Sequence, residues 1–266
     1  MAKHSWQEEA WESLLRKLWD TKGEKNIVEY TKEDLDPILS KYTKSGQGEI
    51  RIFHSSSTKI EALRKRGVSK LPLTRSKWIL FEAPPKINFK EPKEGGLFEA
   101  TRPLTEGMIL GIKETLNTKS SPGETTMLAI ASQSGLISDF YNLSNDGVLF
   151  TGGRQKASFK IIIGDQIIDM TSAQIEIDGG FEWPNDVVIV EMKSRFTQPA
   201  FDTNQALLPL LKWKNMLKNK NIHSLVLLAE TNSKGIEYWA YDISLGKSSV
   251  EGVVSKSKKY ILEISK

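Results

Sequence analysis

Three charged residues stand where a chain ordinarily places turn residues. Asp178 ends the alternating run Gln174-Ile175-Glu176-Ile177-Asp178 and is followed by Gly179-Gly180. Glu191 and Lys193 close the run Val187-Val188-Ile189-Val190-Glu191-Met192-Lys193, whose aliphatic part is apolar on both faces, as interior strands are. Trp183-Pro184-Asn185-Asp186 between them reads as a turn, so the two runs are expected to form a hairpin. Alternation puts Glu191 and Lys193 on one face, where Asp178 on the neighbouring strand can meet them. Two carboxylates converging with a lysine at the end of a buried strand are costly unless something compensates them. A divalent cation does so, and hard oxygen ligands suit Mg²⁺, with Mn²⁺ able to substitute. The competing interpretation is a surface hairpin bearing an Asp and a Glu–Lys pair, which is worth little energetically. It does not account for an aliphatic run that ends in Glu-Met-Lys.

Asp178-Gly179 followed, after eleven residues, by Glu191-x-Lys193 resembles the signature of the PD-(D/E)xK nucleases. Ile177 stands in the usual proline place, and that proline has no catalytic role. Phe201-Asp202-Thr203-Asn204-Gln205 leads into a helix that resembles the one after the catalytic hairpin in restriction endonucleases and RecB-like nucleases, where a glutamine often faces the site. Glu124 resembles the accessory acid that some of these nucleases carry upstream. Gly152-Gly153-Arg154-Gln155 would supply a phosphate-facing Arg154. The likeness runs from Glu124 to Ile243, and the whole chain is most similar to a type II restriction endonuclease. It implies that Asp178, Glu191 and the main-chain carbonyl of Met192 hold Mg²⁺, that Lys193 orients the attacking water, and that Gln205 assists. Glu176, on the Asp178 face by alternation, ranks above Glu182 as a further ligand. The implied substrate is double-stranded DNA and the implied assembly a homodimer, because cutting a duplex takes two active sites.

The elements that must position these residues follow from periodicity. From about Val148 the pattern reads as strands over 148–151, 158–163, 166–170, 173–178 and 186–193, then a helix over 204–217 and strands over 224–229 and 236–243. That order argues an α/β domain with a mixed central sheet flanked by helices. Helices are expected over 105–116 and 124–136 before it, and a short apolar alternation at 260–264 after it. Residues 84–96, with Pro84-Pro85 and Gly95-Gly96, read as a linker or crossover.

The N-terminal part differs in character. Trp6 to Trp19 carries apolar residues at helical spacing; Thr31 with Asp34 begins a second helix; 49–53 alternates as a short strand. Ser55 to Thr58 caps a basic helix over 59–66 that stops at Gly67, and a strand is expected over 78–81. This is the order of a winged-helix or related helix-turn-helix module, which places a recognition helix in the major groove. Between Lys59 and Lys90 nine basic residues face two acids, an excess that favours a polyanion. Lys59, Arg64, Arg66, Arg75 and Lys77 are the expected DNA contacts. A helical subdomain that only packs on the rest is the alternative. The chain is thus divided into a DNA-binding subdomain over 1–90 and a nuclease domain over 91–266.

Composition excludes other chemistries. Cysteine is absent, which rules out disulfides, thiolate metal sites and cysteine nucleophiles. Three histidines far apart in sequence (His4, His54, His223) argue against a multi-histidine zinc centre or a histidine triad. No apolar run is long enough to span a membrane, and no secretion signal is visible, so a cytoplasmic protein is expected. The expected activity is Mg²⁺-dependent cleavage of duplex DNA by a restriction enzyme. A structure-directed or repair nuclease and a non-catalytic winged-helix DNA binder are the alternatives.

Overall fold

A computed structural model describes residues 6–23, 25–42, 60–74, 76–117, 122–193, 201–232 and 235–263. The strand expected over 49–53, the cap at 55–58, Lys59, Arg75, His4 and His54 lie outside the described residues.

Among the described residues, the N-terminal part consists of α1 (Trp6–Leu18), β1 (Ile27–Thr31), α2 (Lys32–Leu39), α3 (Glu61–Lys65), β2 (Val68–Pro72) and β3 (Lys77–Glu82). Its strands form an antiparallel sheet in the order β1-β3-β2. The expected start of α2 is present, with Asp34 accepting a hydrogen bond from the Thr31 amide at 3.0 Å. Alternation along β2 and β3 gives this sheet two buried faces. Val68, Trp78 and Leu80 pack with Trp11, Leu15, Leu35 and Leu63 under the helices. Leu71, Leu73, Ile79 and Phe81 pack on the strands of the larger sheet. The main chain joins the two as well, since Thr171 donates to the Leu73 carbonyl at 2.8 Å.

The larger sheet is built from β4 (Gly95–Leu97), β5 (Val148–Ile163), β6 (Gln166–Glu182), β7 (Asp186–Lys193), β8 (Asn221–Asn232), β9 (Gly235–Leu245) and β10 (Gly252–Glu263). Its order is β4-β10-β9-β8-β7-β6-β5. Strand pairs β7–β8 and β4–β10 are parallel and the remaining pairs antiparallel, so the fold is α/β with a mixed sheet, as the strand pattern predicts. Helices α4 (Glu106–Asn117), α5 (Glu124–Gln133) and α6 (Leu136–Tyr141) precede β5, and α7 (Thr203–Met216) is the crossover between β7 and β8. On one face, Met127, Ile130 and Phe140 of α5 and α6 meet Val188, Val190 and Met192. On the other, Leu208 and Leu211 of α7 meet Val187 and Ile189. Burial on both sides is why the β7 run lacks a polar face.

Three expectations differ. The helix expected over 124–136 ends at Gln133 because Gly135 turns left-handed at φ 82, and α6 starts beyond it. The short strands expected between 148 and 178 fuse into two long ones, β5 and β6, whose irregularities are bulges rather than ends. Gly95-Gly96, expected in a linker, belongs to β4 and pairs with Lys259 and Tyr260. Ile87 and Phe89 in the same stretch are buried against Ala206, Val226 and Tyr241. Among the described residues, no helix is long and apolar enough to cross a membrane.

Candidate active site

The hairpin forms as its sequence predicts, with β6 ending at Glu182 and β7 starting at Asp186. Its turn exposes Pro184 and Asn185 and is anchored at Trp183. Trp183 is buried, its amide donates to the Asp186 carbonyl at 2.8 Å, and its indole donates to the Ser144 carbonyl at 2.7 Å.

Asp178 owes its direction to a break in regular pairing. The β6–β7 ladder ends at Gly179↔Val190. On the other side, Thr151 pairs with Gly180 and Gly153 with Ile177, so two steps along β5 span three along β6. The extra residue is a bulge at Asp178-Gly179, and bulges re-aim side chains. Gly179 and Gly180 are required there. A Cβ on Gly179 would stand 2.8 Å from Leu128 Cδ2, and one on Gly180 would stand 2.4 Å from Thr151 Cγ2. Past the end of the ladder Asp178 Oδ2 accepts a hydrogen bond from the Met192 amide at 2.7 Å. A side chain thereby takes over a main-chain partner and is fixed between the two strands.

The three residues expected to meet do meet, and Glu124 from α5 joins them. Lys193 Nζ lies 2.6 Å from Glu191 Oε1, 3.6 Å from Glu124 Oε2 and 3.8 Å from Asp178 Oδ2. It also donates to the Met192 carbonyl at 3.0 Å. Glu191 is 4% exposed, and its Oε1 is shut off from solvent. Apart from the Lys193 ion pair, Oε1 has no hydrogen-bond partner among the described residues. Burial pushes the Glu191 carboxyl up to about 8; Asp178 and Glu124 add to the rise and Lys193 opposes it. For Lys193 burial works against the charge, but Glu191, Asp178 and Glu124 outweigh it and hold the ammonium above its ordinary value. Three carboxyl groups thus share one ammonium.

The remaining expected site residues are placed as follows. Gln205 lies in the first turn of α7, half-buried, and its side chain makes no hydrogen bond among the described residues. The cap of that helix is Asp202, which accepts from the Asn204 amide at 3.0 Å. Arg154 is exposed on β5 and pairs across the ladder with Glu176 at 3.6 Å. Glu176 is exposed, and its ion pair is with Arg154 rather than with Lys193. Glu182 is bound by Lys220. In the N-terminal part Arg66 is engaged by Asp20 at 2.9 Å and Glu12 at 3.0 Å. Arg64 lies 3.7 Å from Glu61, and Lys77 pairs with Glu29. His223 contacts Asp186 at 2.9 Å, at the end of β7 opposite Lys193.

One buried charge escapes a reading by sequence motif: Lys212, on the inner face of α7, is 8% exposed. The available signal was a lysine at helical spacing from Leu208 in an otherwise apolar stretch, Leu207 to Trp213.

Fold and site together define an α/β protein with a carboxylate–lysine cluster at the end of an interior strand. Residues 102–261 match the family described as a domain of unknown function (DUF6997), and the chain belongs to that family. Neither a curated protein nor a solved structure matches the chain.

Proposed function

We propose that this chain is a Mg²⁺-dependent nuclease of the PD-(D/E)xK kind that hydrolyses phosphodiester bonds in double-stranded DNA, acting in the cytoplasm as a homodimeric, sequence-specific restriction enzyme. The observation that carries the reading is the meeting of Asp178, Glu191 and Lys193 beyond the last rung of the β6–β7 ladder, with Glu191 buried. A surface ion pair would not be shut off from solvent in this way. The helix that follows the hairpin, with Gln205 in its first turn, supports the same reading.

The donor set fits a hard divalent cation. Asp178, Glu191 and the Met192 carbonyl would hold it, and the under-satisfied Glu191 oxygen is the kind of atom that a cation would engage. Among the described residues no three Asp, Glu or His side chains form a ready-made cage. Mg²⁺ is commonly held by one or two carboxylates and completes its shell with water and substrate phosphate. When bound, the cation supplies Lewis acidity to the phosphate and lowers the pKa of water.

The protein's own residues do the rest. Asp178 is oriented by the Met192 amide before substrate arrives. Glu191 holds a proton at its buried carboxyl up to about pH 8 in the absence of a cation, and releases it as the site gains positive charge. Lys193, kept protonated by its three acidic neighbours, donates to the phosphate oxygens as negative charge accumulates on them. Glu124 restrains the ammonium from the α5 side. The N-terminal order α1-β1-α2-α3-β2-β3 supports a winged-helix reading of that part.

A structure-directed or repair nuclease on the same core is the second reading. It is favoured by Arg66, whose side chain is 20% exposed and held by Asp20 and Glu12, since a cation spent internally does not read bases. Incubation with supercoiled plasmid and Mg²⁺ separates the readings. Discrete linear fragments support restriction, and nicked circles or a smear support the second. Binding without cleavage would leave only a DNA-binding protein.

A further inference from the structure

Lys212 is a buried cation without a carboxylate. Its Nζ donates to Gln155 Oε1 and stands 4.8 Å from the centroid of the Trp213 ring. Among the described residues no acid lies within ion-pair distance of it, and burial depresses its proton affinity with no charged neighbour to offset the effect. An ammonium held mainly by a neutral amide is a poor arrangement in the free protein. It becomes a good one when an anion arrives.

The surroundings suit an anion. Gln155 Nε2 donates to Thr151 Oγ1, so Lys212, Gln155 and Thr151 form a chain from α7 to β5. Thr151 and Gly153 pair with Gly180 and Ile177, the residues that flank Asp178-Gly179 on β6. Gly153 is left-handed at φ 76 with nothing within 4 Å of where a Cβ would stand, so ligand oxygens can approach the main chain there. Lys212 and Glu191 also look onto the same side of the sheet. Val187 and Ile189 pack against Leu208 and Leu211 of α7, and Glu191 continues their alternation. Two strand spacings separate β5 from β7, about 10 Å.

We propose that Lys212, Gln155 and Thr151, beside the open main chain at Gly153, form a phosphate subsite that seats a phosphodiester group flanking the scissile one on the same nucleic-acid strand. This rests on the nuclease reading for the identity of its ligand, though not for its affinity for phosphate. The subsite sets where a strand lies across the sheet, and Lys212 is a binding residue rather than a catalytic one.

The test uses the full chain with Lys212→Met, which keeps the aliphatic stem, and Lys212→Arg, which keeps the charge. Affinity for a short DNA duplex is measured across roughly 50–200 mM salt. The methionine variant should bind about tenfold more weakly, with a salt slope shallower by ~0.9, and arginine should restore both. Separately, inorganic phosphate should raise the thermal midpoint of the wild type but not of Lys212→Met. In phosphate-free buffer the variant itself should melt at or above the wild type, because it no longer buries an uncompensated charge. Lys212→Gln gives the same comparison if the methionine variant does not fold. Equal salt slopes and equal phosphate stabilisation overturn the subsite. Duplex cleavage with unchanged slopes removes the subsite and leaves the nuclease; phosphate stabilisation specific to Lys212 without duplex binding or cleavage does the reverse.

Discussion

Replacing Lys193 with methionine removes the only ammonium within 4 Å of Glu191, Asp178 and Glu124 among the described residues. Above about pH 8 the buried Glu191 charge then has no counterion. Breaking a buried pair by deleting one partner costs about 3–5 kcal/mol, and the low end applies because the Lys193 side chain is 24% exposed. Protonation of Glu191 caps the loss at low pH, so the deficit should be largest well above pH 8, where the carboxyl is charged even in the wild type. A divalent cation can stand in for the missing ammonium. At about 100 times its dissociation constant Mn²⁺ should return about 2.7 kcal/mol to the variant. The wild type should gain less, because Lys193 competes for the same oxygens. Urea denaturation of both proteins, in chelator and in Mn²⁺, reads these differences directly. If Lys193→Met loses no stability in chelator, or if Mn²⁺ stabilises it no more than the wild type, the carboxylates do not form a cation site.

Three other outcomes follow from the geometry. Lys70 is fully buried, 4.7 Å from the Trp11 ring, and burial brings its proton affinity down from 10.5 to about 7 despite Asp202. The folded value lies below the unfolded one, so between about 7 and 10.5 the unfolded chain binds more protons and stability should rise with pH, by up to about 5 kcal/mol. Lys70→Met should flatten that rise in urea titrations, and an unchanged slope would assign it to other groups. Gly180→Ala forces a methyl against Thr151 Cγ2 and the Phe150 ring, and a loss of about 1–3 kcal/mol with impaired cleavage is expected; a neutral variant would mean that the bulge yields freely. Arg66→Met should cost about 1–2 kcal/mol in denaturation and leave duplex affinity within about twofold, because Asp20 and Glu12 already hold that side chain; a large loss of affinity would restore Arg66 as a DNA contact.

The hairpin was legible because two periodicities coincide in it. Alternation fixed the faces of β6 and β7, and an aliphatic run ending in Glu191-x-Lys193 marked the rim of a two-sided core. Crossover helix α7 was legible from its helical pattern, within one residue at each end. The bulge at Asp178-Gly179 was not, because it is defined by which residues of β5 stand opposite, and pairing across strands leaves no local mark beyond the two glycines. Strand β4 was missed for a related reason. Gly95-Gly96-Leu97 has turn composition, and only the edge of β10 makes a strand of it. In the N-terminal part the cations could be counted, but their partners Glu12, Asp20 and Glu29 lie too far along the chain for local spacing to pair them. Lys212 was hidden among leucines whose spacing reads as core.

Calorimetric titration of Mn²⁺ into the wild-type chain, Asp178→Asn and Glu191→Gln is the most direct test of the site. One ion per chain should bind the wild type with release of protons near neutral pH, and each substitution should abolish or severely weaken that binding while the fold melts cooperatively. Absence of binding in the wild type, or equal binding in all three proteins, would contradict a cation site at the end of β7.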